Sequence, residues 1–396
     1  MLSFDNTEIA FAGKSDKELQ WAYRLFKLIG KPWLVKLGNV AQKVAFALRL
    51  PIKGLIKRTI FRQFCGGENI DDCDQKIADL AKYNIGTILD YSVEGMEEED
   101  ELDQTRDEII DTIIKAKNND NIPFAVFKVT GICRTDLLEK ANEGEDTLNE
   151  KELEEWTRAK QRVKDICQKG YDLDVPVFID AEDSWFQDAI DRIANDMMET
   201  YNKKKSVIYN TIQMYRHDRL DFLKSNHEKA ELEGYYLGIK LVRGAYMEKE
   251  GQRAMDKGYK TPIQKDKATT DLAFNIALKY MCEHIDRIWF CAGTHNEYSS
   301  AYLADLMAEM NIEKGDKRVY FAQLLGMSDH ISYNLAHQGY NVAKYVPYGP
   351  VKKVMPYLMR RAQENTSVAG QTGRELALIM REKNRRKGKD EYQPVG

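Results

Sequence analysis

The stretch PYLMRRAQEN, residues 356–365, sets Arg360 and Arg361 side by side after an apolar run, with Glu364 one turn beyond Arg360. A planar guanidinium fork grips a carboxylate at two points, which an ammonium cannot, so paired arginines in an apolar segment suit an anionic ligand. Neighbouring helical positions point about 100° apart, so both can reach one ligand only if it lies close over the helix. Other charges point the same way. Lys128, Lys240 and Arg243 join the two arginines in outnumbering Glu94, Asp180, Glu182 and Glu364 among the candidate site residues. Tyr246, Tyr345 and Tyr357 could wall a small, partly apolar substrate such as a cyclic amino acid, although tyrosines taken singly more often fill cores.

Positioning these groups together requires a scaffold, and the chain shows one from residue 85 onward. Eight short β-rich runs recur: IGTILDYS from 85, FAVFKVTG from 124, VPVFIDAE from 175, VIYNTIQ from 207, LGIKLVRG from 237, IWFCAGTH from 288, VYFAQLLG from 319 and VAKYVPYG from 342. Their nearly continuous apolar character suits strands buried on both faces of a parallel sheet. Between them lie stretches such as DAIDRIANDMMETYN, with apolar residues three and four apart. Eight strand and helix units in series predict a (β/α)8 TIM-type barrel. Asp90, Lys128, Asp180 with Glu182, Gln213, Lys240 with Arg243, Thr294 with His295, Gln323 and Tyr345 all fall at or near a strand's carboxyl end, where barrels of this type build active sites. Singly each has an ordinary explanation: Lys128 could snorkel out of the barrel and Asp180 could cap the next helix. Their coincidence on one rim favours a shared site. Arg360 and Arg361 are expected on a helix beginning near Pro350, just beyond the eighth strand.

Composition narrows the alternatives. With 396 residues, 43% hydrophobic, 31% charged and a net charge of −4, the chain reads as globular and without a general affinity for nucleic acid. The six cysteines are scattered, with no Cys-x-x-Cys pair or nearby histidine set, so reduced thiols are expected rather than disulfides or zinc. Neither a Gly-x-Gly-x-x-Gly after a strand nor a P-loop is present; a nucleotide cofactor would have to be held by the rim. GTHNEYSS could do so, because a helix amino terminus following Thr294 and His295 favours phosphate. No run is long and apolar enough for a membrane span, and the amino terminus lacks the form of a secretory signal. The acidic runs at 94–108 and 143–155 read as solvated loops and helix starts, and NEGEDTLNEKEL lacks the order of a calcium loop. Between Glu18 and Glu68 there is no acidic residue, while lysines and arginines alternate with Trp21, Phe26, Trp33 and Phe46. Such a segment is either a helical arm packed on the main domain or a surface for an anionic membrane. The expected division is a basic helical arm over 1–80, a barrel over 81–385 and a basic polar tail over 386–396.

KLVRGAYMEKE, GTHNEYSS, VYFAQLLGMSD and KYVPYGPVKKVMPYLMRRAQEN, with FCGGEN, ILDYSVEG, FKVTG and FIDAED in the same order, together resemble the proline dehydrogenase family, in particular its mitochondrial-type members. The resemblance runs from about residue 55 to 380. It implies a distorted (β/α)8 barrel that binds FAD non-covalently and oxidises L-proline to Δ1-pyrroline-5-carboxylate, the first step of proline catabolism, with a quinone as electron acceptor. By the same resemblance Arg360, Arg361 and Lys128 bind the substrate carboxylate, and Glu94 pairs with Arg360. Tyr246, Tyr345 and Tyr357 enclose the ring, and Lys240 lies near flavin N5. Arg243, Gly244, Ala245, Asp180, Gln213, Thr294, His295, Asn296, Gln323, Leu324 and Glu364 fall at cofactor-contacting positions. Of these, Lys128, Asp180, Lys240, Tyr345, Arg360 and Arg361 are the expected catalytic set. Bifunctional bacterial relatives have an arginine and then a lysine in the fifth-strand motif, whereas the order Lys240 then Arg243 is that of the mitochondrial type; Met247 replaces a tryptophan of the bacterial form.

No aldehyde dehydrogenase segment follows, so a separate pyrroline-5-carboxylate dehydrogenase is the expected consumer of the product. The expected location is the bacterial cytoplasm, peripheral on the inner membrane through residues 21–62, since no Arg- and Ser-rich presequence stands at the start; in a eukaryote it would be the mitochondrial inner membrane or matrix. Two other enzymes remain open on the same residues. Hydroxyproline dehydrogenase shares the scaffold, though Tyr345 would crowd a ring hydroxyl, and a Schiff-base aldolase could use Lys128 or Lys240 without a flavin.

Overall fold

The computed structural model describes residues 2–30, 33, 53–93, 95–367 and 371–388. Eight parallel strands close into a barrel in sequence order: β1 (Ile85–Tyr91), β2 (Phe124–Phe127), β3 (Val177–Ile179), β4 (Ile208–Gln213), β5 (Leu237–Val242), β6 (Ile288–Gly293), β7 (Val319–Leu324) and β8 (Val342–Tyr348). β1 pairs along its whole length with β8, from Ile85 opposite Val342 to Tyr91 opposite Tyr348, which completes the closure. The expected barrel is therefore present. Several strands stop sooner than their apolar runs suggest, because the chain turns away at the mouth: β2 ends at Phe127 and β3 at Ile179. Lys128 and Asp180 consequently stand just past the last strand residue.

Alternation along each strand separates two environments. Outward residues such as Leu89, Phe127, Ile179, Ile239, Phe290 and Phe321 join the large core between strands and helices. Inward residues Ile88, Phe124, Phe178, Tyr209, Cys291 and Tyr345 form a separate cluster within the barrel. Low in that interior the Phe124 and Phe178 rings stack at 4.3 Å, with Tyr209 and Tyr320 edge-on to Phe124 at 5.7 and 4.8 Å. This aromatic layer fills the lower barrel, so polar side chains on the inward positions above it face the mouth.

The helix following β8, Met355–Ser367, departs from the usual flanking position. Together with the amino-terminal helix Asp16–Ile29 and the carboxyl-terminal helix Gln371–Arg386, it builds a second core from Phe11, Phe26, Phe61, Phe64, Tyr357, Leu358 and Ile379. Its regular turns begin at Met355, not near Pro350, because a separate turn first closes on the Pro350 carbonyl through Lys353 and Val354. Charge pairs, with Lys344, Asp329, His330 and Glu375 buried, fasten this second core to the barrel. Lys344 on β8 points outward and meets Asp329 at 2.9 Å; Asp329 also accepts from Lys14 at 2.6 Å. His330 lies 3.0 Å from Glu297 and 3.5 Å from Glu375, while Arg374 reaches Glu297 at 2.8 Å and Asp5 at 2.8 Å.

Some expectations sharpen and others leave the described residues. All six cysteines are free and buried. Part of the acidic run near residue 100 is structural: Glu99 and Asp103 hold the buried Arg162, Asp103 at 2.7 Å. The run near 150 starts a helix whose Asn149 and Glu152 form a reciprocal cap. Among the described residues no helix is long and apolar enough to cross a membrane and no metal-holding cluster occurs. Residues 31, 32 and 34–52 of the basic segment, Glu94 and most of the 386–396 tail lie outside the described residues.

Candidate active site

Four of the expected residues meet at the mouth through one carboxylate. Asp180, 7% exposed, accepts from Lys128 at 3.0 Å and from the Tyr345 hydroxyl at 2.7 Å on Oδ2, and from Lys240 on Oδ1. Burial by itself would raise its pKa, but Lys240, Lys128 and the Tyr345 hydrogen bond hold it down at about 2. Asp180 is therefore an anion that fixes two ammonium groups, not a base. It does not cap the next helix, and Lys128 does not snorkel outward. Tyr345 keeps its proton, because burial and the adjacent Asp180 push its phenol well above the usual value. Lys240 also lies 4.5 Å from the Tyr345 ring centre and 5.5 Å from that of Phe178, a cation held over aromatic faces. Asp90, buried on β1, accepts from Ser92 at 2.6 Å and sits 4.0 Å from Lys128.

A second group lies at the ends of β5 and β6. Arg243 donates to Asp271 at 2.6 Å, to Thr294 at 2.6 Å and to Ser299 at 2.8 Å, with its guanidinium 4.2 Å over the Phe274 ring. These bonds use three of its five N–H donors and leave two. Asn296 caps the helix Glu297–Glu309 by accepting from the Ser299 amide at 3.0 Å. Gly244 has φ +126°, and a Cβ there would come within 2.5 Å of the Tyr215 ring, so the turn into Ala245 and Tyr246 is open only to glycine. His295 is half-buried by its surface, yet its ring sits deep; burial, then Lys344, Arg361, His330 and Arg243, push its pKa down to about 3. It is a neutral imidazole at ordinary pH.

Two of the glutamines brace the mouth from behind. Gln323 donates to the Thr294 carbonyl at 3.1 Å and accepts from Ser332 at 2.8 Å, so both ends of its amide are engaged within the protein. Gln213 donates to the Glu182 carbonyl at 2.7 Å, and Glu182 in turn accepts from the Thr130 amide at 3.0 Å. Leu324 packs in both the barrel interior and the second core.

The arginine pair arrives from the displaced helix. Arg360 lies 6.0 Å from the Tyr246 ring centre and Arg361 5.2 Å from that of Tyr357. Tyr246 belongs to the loop after β5, at the cap of the helix Met247–Lys257, not to the strand itself. Arg361 contributes to the field on His295, after β6, and Arg360 to that on the buried Asp183, after β3. Glu364 lies in the same helix, with its side chain outside the described set. Sequence reasoning missed Asp183, which pairs with Lys249 at 2.6 Å. It also missed Glu250, fully buried and accepting from the Ser184 amide at 2.7 Å and hydroxyl at 2.6 Å. Ser328 and Asp271 were missed as well, since each acts through a partner distant in sequence that no local motif signals.

A parallel (β/α)8 barrel whose mouth draws two lysines and a tyrosine hydroxyl onto one buried carboxylate has the build of an enzyme active site. The family model described as proline dehydrogenase matches residues 73–374. The chain belongs to the proline dehydrogenase family. It is 30% identical to "Proline dehydrogenase 1, mitochondrial" of Dictyostelium discoideum, over 97% of this chain and 75% of that protein. It is 33% identical to the carbapenem antibiotics biosynthesis protein CarD of Pectobacterium carotovorum subsp. carotovorum, over 82% of this chain and 83% of that one. To the human proline dehydrogenase 1 it is 40% identical over 60% of this chain, but it spans only 40% of that protein. The solved proline utilization A of Bdellovibrio bacteriovorus inactivated by N-propargylglycine superposes with a TM-score of 0.72 at 20% identity, covering 95% of this chain and 40% of that one; this likeness speaks for the fold.

Proposed function

We propose that this mouth oxidises L-proline to Δ1-pyrroline-5-carboxylate using non-covalently held FAD, with a quinone taking the electrons. The chain is an oxidoreductase of proline catabolism by its family, and that family is flavin-dependent; the assignment of roles to residues is the proposal. The observation that carries it is the cluster at the mouth in which Lys128, Lys240 and Tyr345 converge on the buried Asp180 carboxylate. An anionic substrate finds there cations already held in place, so little ordering is left to be done on binding.

The donor set at the mouth fits FAD. Arg243 keeps two N–H donors beyond its protein partners, and the capped helix start at Asn296 presents the positive end of the helix dipole, so a diphosphate is favoured there. Gly244 lets the backbone come close, while Lys240 and His295 would meet the ring and its polar edges. Bound there, the flavin would take a hydride from C5 of the proline ring.

Arg360, Arg361 and Lys128 would hold the substrate carboxylate, and Tyr246, Tyr345 and Tyr357 would enclose the ring. Cations around the ring nitrogen favour the neutral amine, whose lone pair forms the new C=N bond. Lys240, held in place by Asp180, would stabilise negative charge developing on the oxidant. Glu94 is proposed to orient Arg360, and Glu364 to lie at the cofactor. The product would pass to a separate pyrroline-5-carboxylate dehydrogenase.

The quinone and the proposed peripheral membrane location, on a bacterial inner membrane or in mitochondria of a eukaryote, draw support from the basic segment 21–62, where Leu28 is 55% and Trp33 61% exposed. One experiment with successive arms tests these points. The purified protein should be yellow, anaerobic L-proline should bleach it, and a short-chain quinone should restore the colour. A colourless protein that takes up no FAD would sink the proposal. Bleaching without recovery would remove the quinone alone, and absence from anionic vesicles at low salt would remove the membrane contact.

A further inference from the structure

Ser328 occupies an unusual position. It immediately precedes the helix Asp329–His337, where a serine ordinarily accepts from a helix amide. Its side chain makes no such bond, and its backbone is left-handed, at φ 51° and ψ 42°, a region that disfavours a residue with a Cβ. Its hydroxyl instead lies 3.0 Å from Nδ1 of His295.

The neighbouring chain sustains this arrangement. Lys344 donates to the Met327 carbonyl at 2.6 Å, Gln63 donates to the Gly326 carbonyl at 2.8 Å, and Asp329 is clamped between Lys14 and Lys344. A residue kept in a costly conformation by so many surrounding contacts points to a use for its side chain.

The direction of the hydrogen bond follows from satisfaction. Ser328 is 1% exposed, and its hydroxyl makes no other hydrogen bond among the described residues. If the imidazole donated from Nδ1, the serine proton would be buried without an acceptor. If the serine donates, its proton and the Nδ1 lone pair satisfy each other, and the ring's proton moves to Nε2. We propose that Ser328 is a positioning residue for His295: its hydroxyl donates to Nδ1, so that the ring carries its proton on Nε2 and offers that N–H at the mouth as a hydrogen-bond donor. Resting on the reading above, the acceptor for this N–H is an oxygen or nitrogen of the bound FAD.

The test separates the hydroxyl from the backbone. Long-range 1H–15N spectra of the full-length protein labelled at its histidine nitrogens, with His295→Gln for assignment, report which ring nitrogen holds the proton. The wild type should show a protonated Nε2 and an unprotonated Nδ1 at His295. Ser328→Ala and Ser328→Gly should both give a mixed tautomer and weaken FAD retention by about tenfold, the loss of roughly one hydrogen bond. Ser328→Thr should restore the wild-type signature. The glycine variant is decisive, because it relieves the left-handed backbone while removing the hydroxyl. A wild-type spectrum with the proton on Nδ1, or a glycine variant that holds FAD as tightly as wild type, overturns the proposal. If the wild type binds no FAD at all, the flavin reading fails, while the tautomer still decides the role of Ser328.

Discussion

At the scale of single residues, geometry separates groups that carry charge from groups that arrange it. Asp180 arranges: its carboxylate, with its pKa held at about 2, fixes Lys128 and Lys240 through ion pairs. Arg360 and Arg361 are proposed to carry. A lysine at either position retains the charge and loses the two-pronged grip. Arg361→Lys should raise KM for proline by roughly 10- to 100-fold, the worth of about one charged hydrogen bond, and Arg360→Lys should act in the same direction. FAD retention should stay within about twofold, since the clamp is proposed to hold substrate alone. Steady-state kinetics beside flavin titration would decide; parallel loss of both would mean that the arginines hold the cofactor. Of these roles the adjacency of the arginines was legible in the sequence. The convergence of Lys128, Lys240 and Tyr345 on a single carboxylate was not, because hydrogen-bond partners 52, 60 and 165 positions away leave no local mark.

Among elements, strands were more legible than the segments leaving them. Each strand buried on both faces must be nearly all apolar, so all eight appear as runs. Where a strand ends depends on the turn at the mouth, which is why β2 and β3 are shorter than expected and Tyr246 belongs to a loop. The carboxyl-terminal helix supplies a pH-dependent test. His330, although burial opposes its charge, has its pKa raised to about 9 by Glu297 and Glu375. A raised pKa stabilises the fold while the histidine binds its proton more tightly than in the unfolded chain. That contribution is whole below about 6.5 and is lost as pH rises through about 9. The melting temperature should therefore fall between these values more steeply in the wild type than in His330→Gln. Identical slopes would mean that this histidine does not clasp the helix.

Over the whole molecule, the barrel is closed by its own strands but held at one side by the chain's two ends. Lys14 and Asp329 are 315 positions apart and join at 2.6 Å, with Lys344 completing the group from β8. Breaking a buried charge group by removing one partner costs about 3–5 kcal/mol. Asp329→Asn should lower stability by roughly that amount in urea unfolding, with the second core loosening first. A loss below about 1 kcal/mol would show that solvent reaches and replaces the carboxylate. The sequence by itself determined the barrel, the rim of polar residues at its strand ends and the cation excess that calls for an anionic ligand, because strand burial and strand ends are encoded by short-range pattern. Only the tertiary structure decided that the arginine helix leaves the barrel's flank, that Lys344 faces the helices and not the mouth, and that the Ser328 hydroxyl is turned from its own helix to His295. Those outcomes are set by contacts between distant segments competing for buried charge and hydrogen bonds, and no local spacing carries that information.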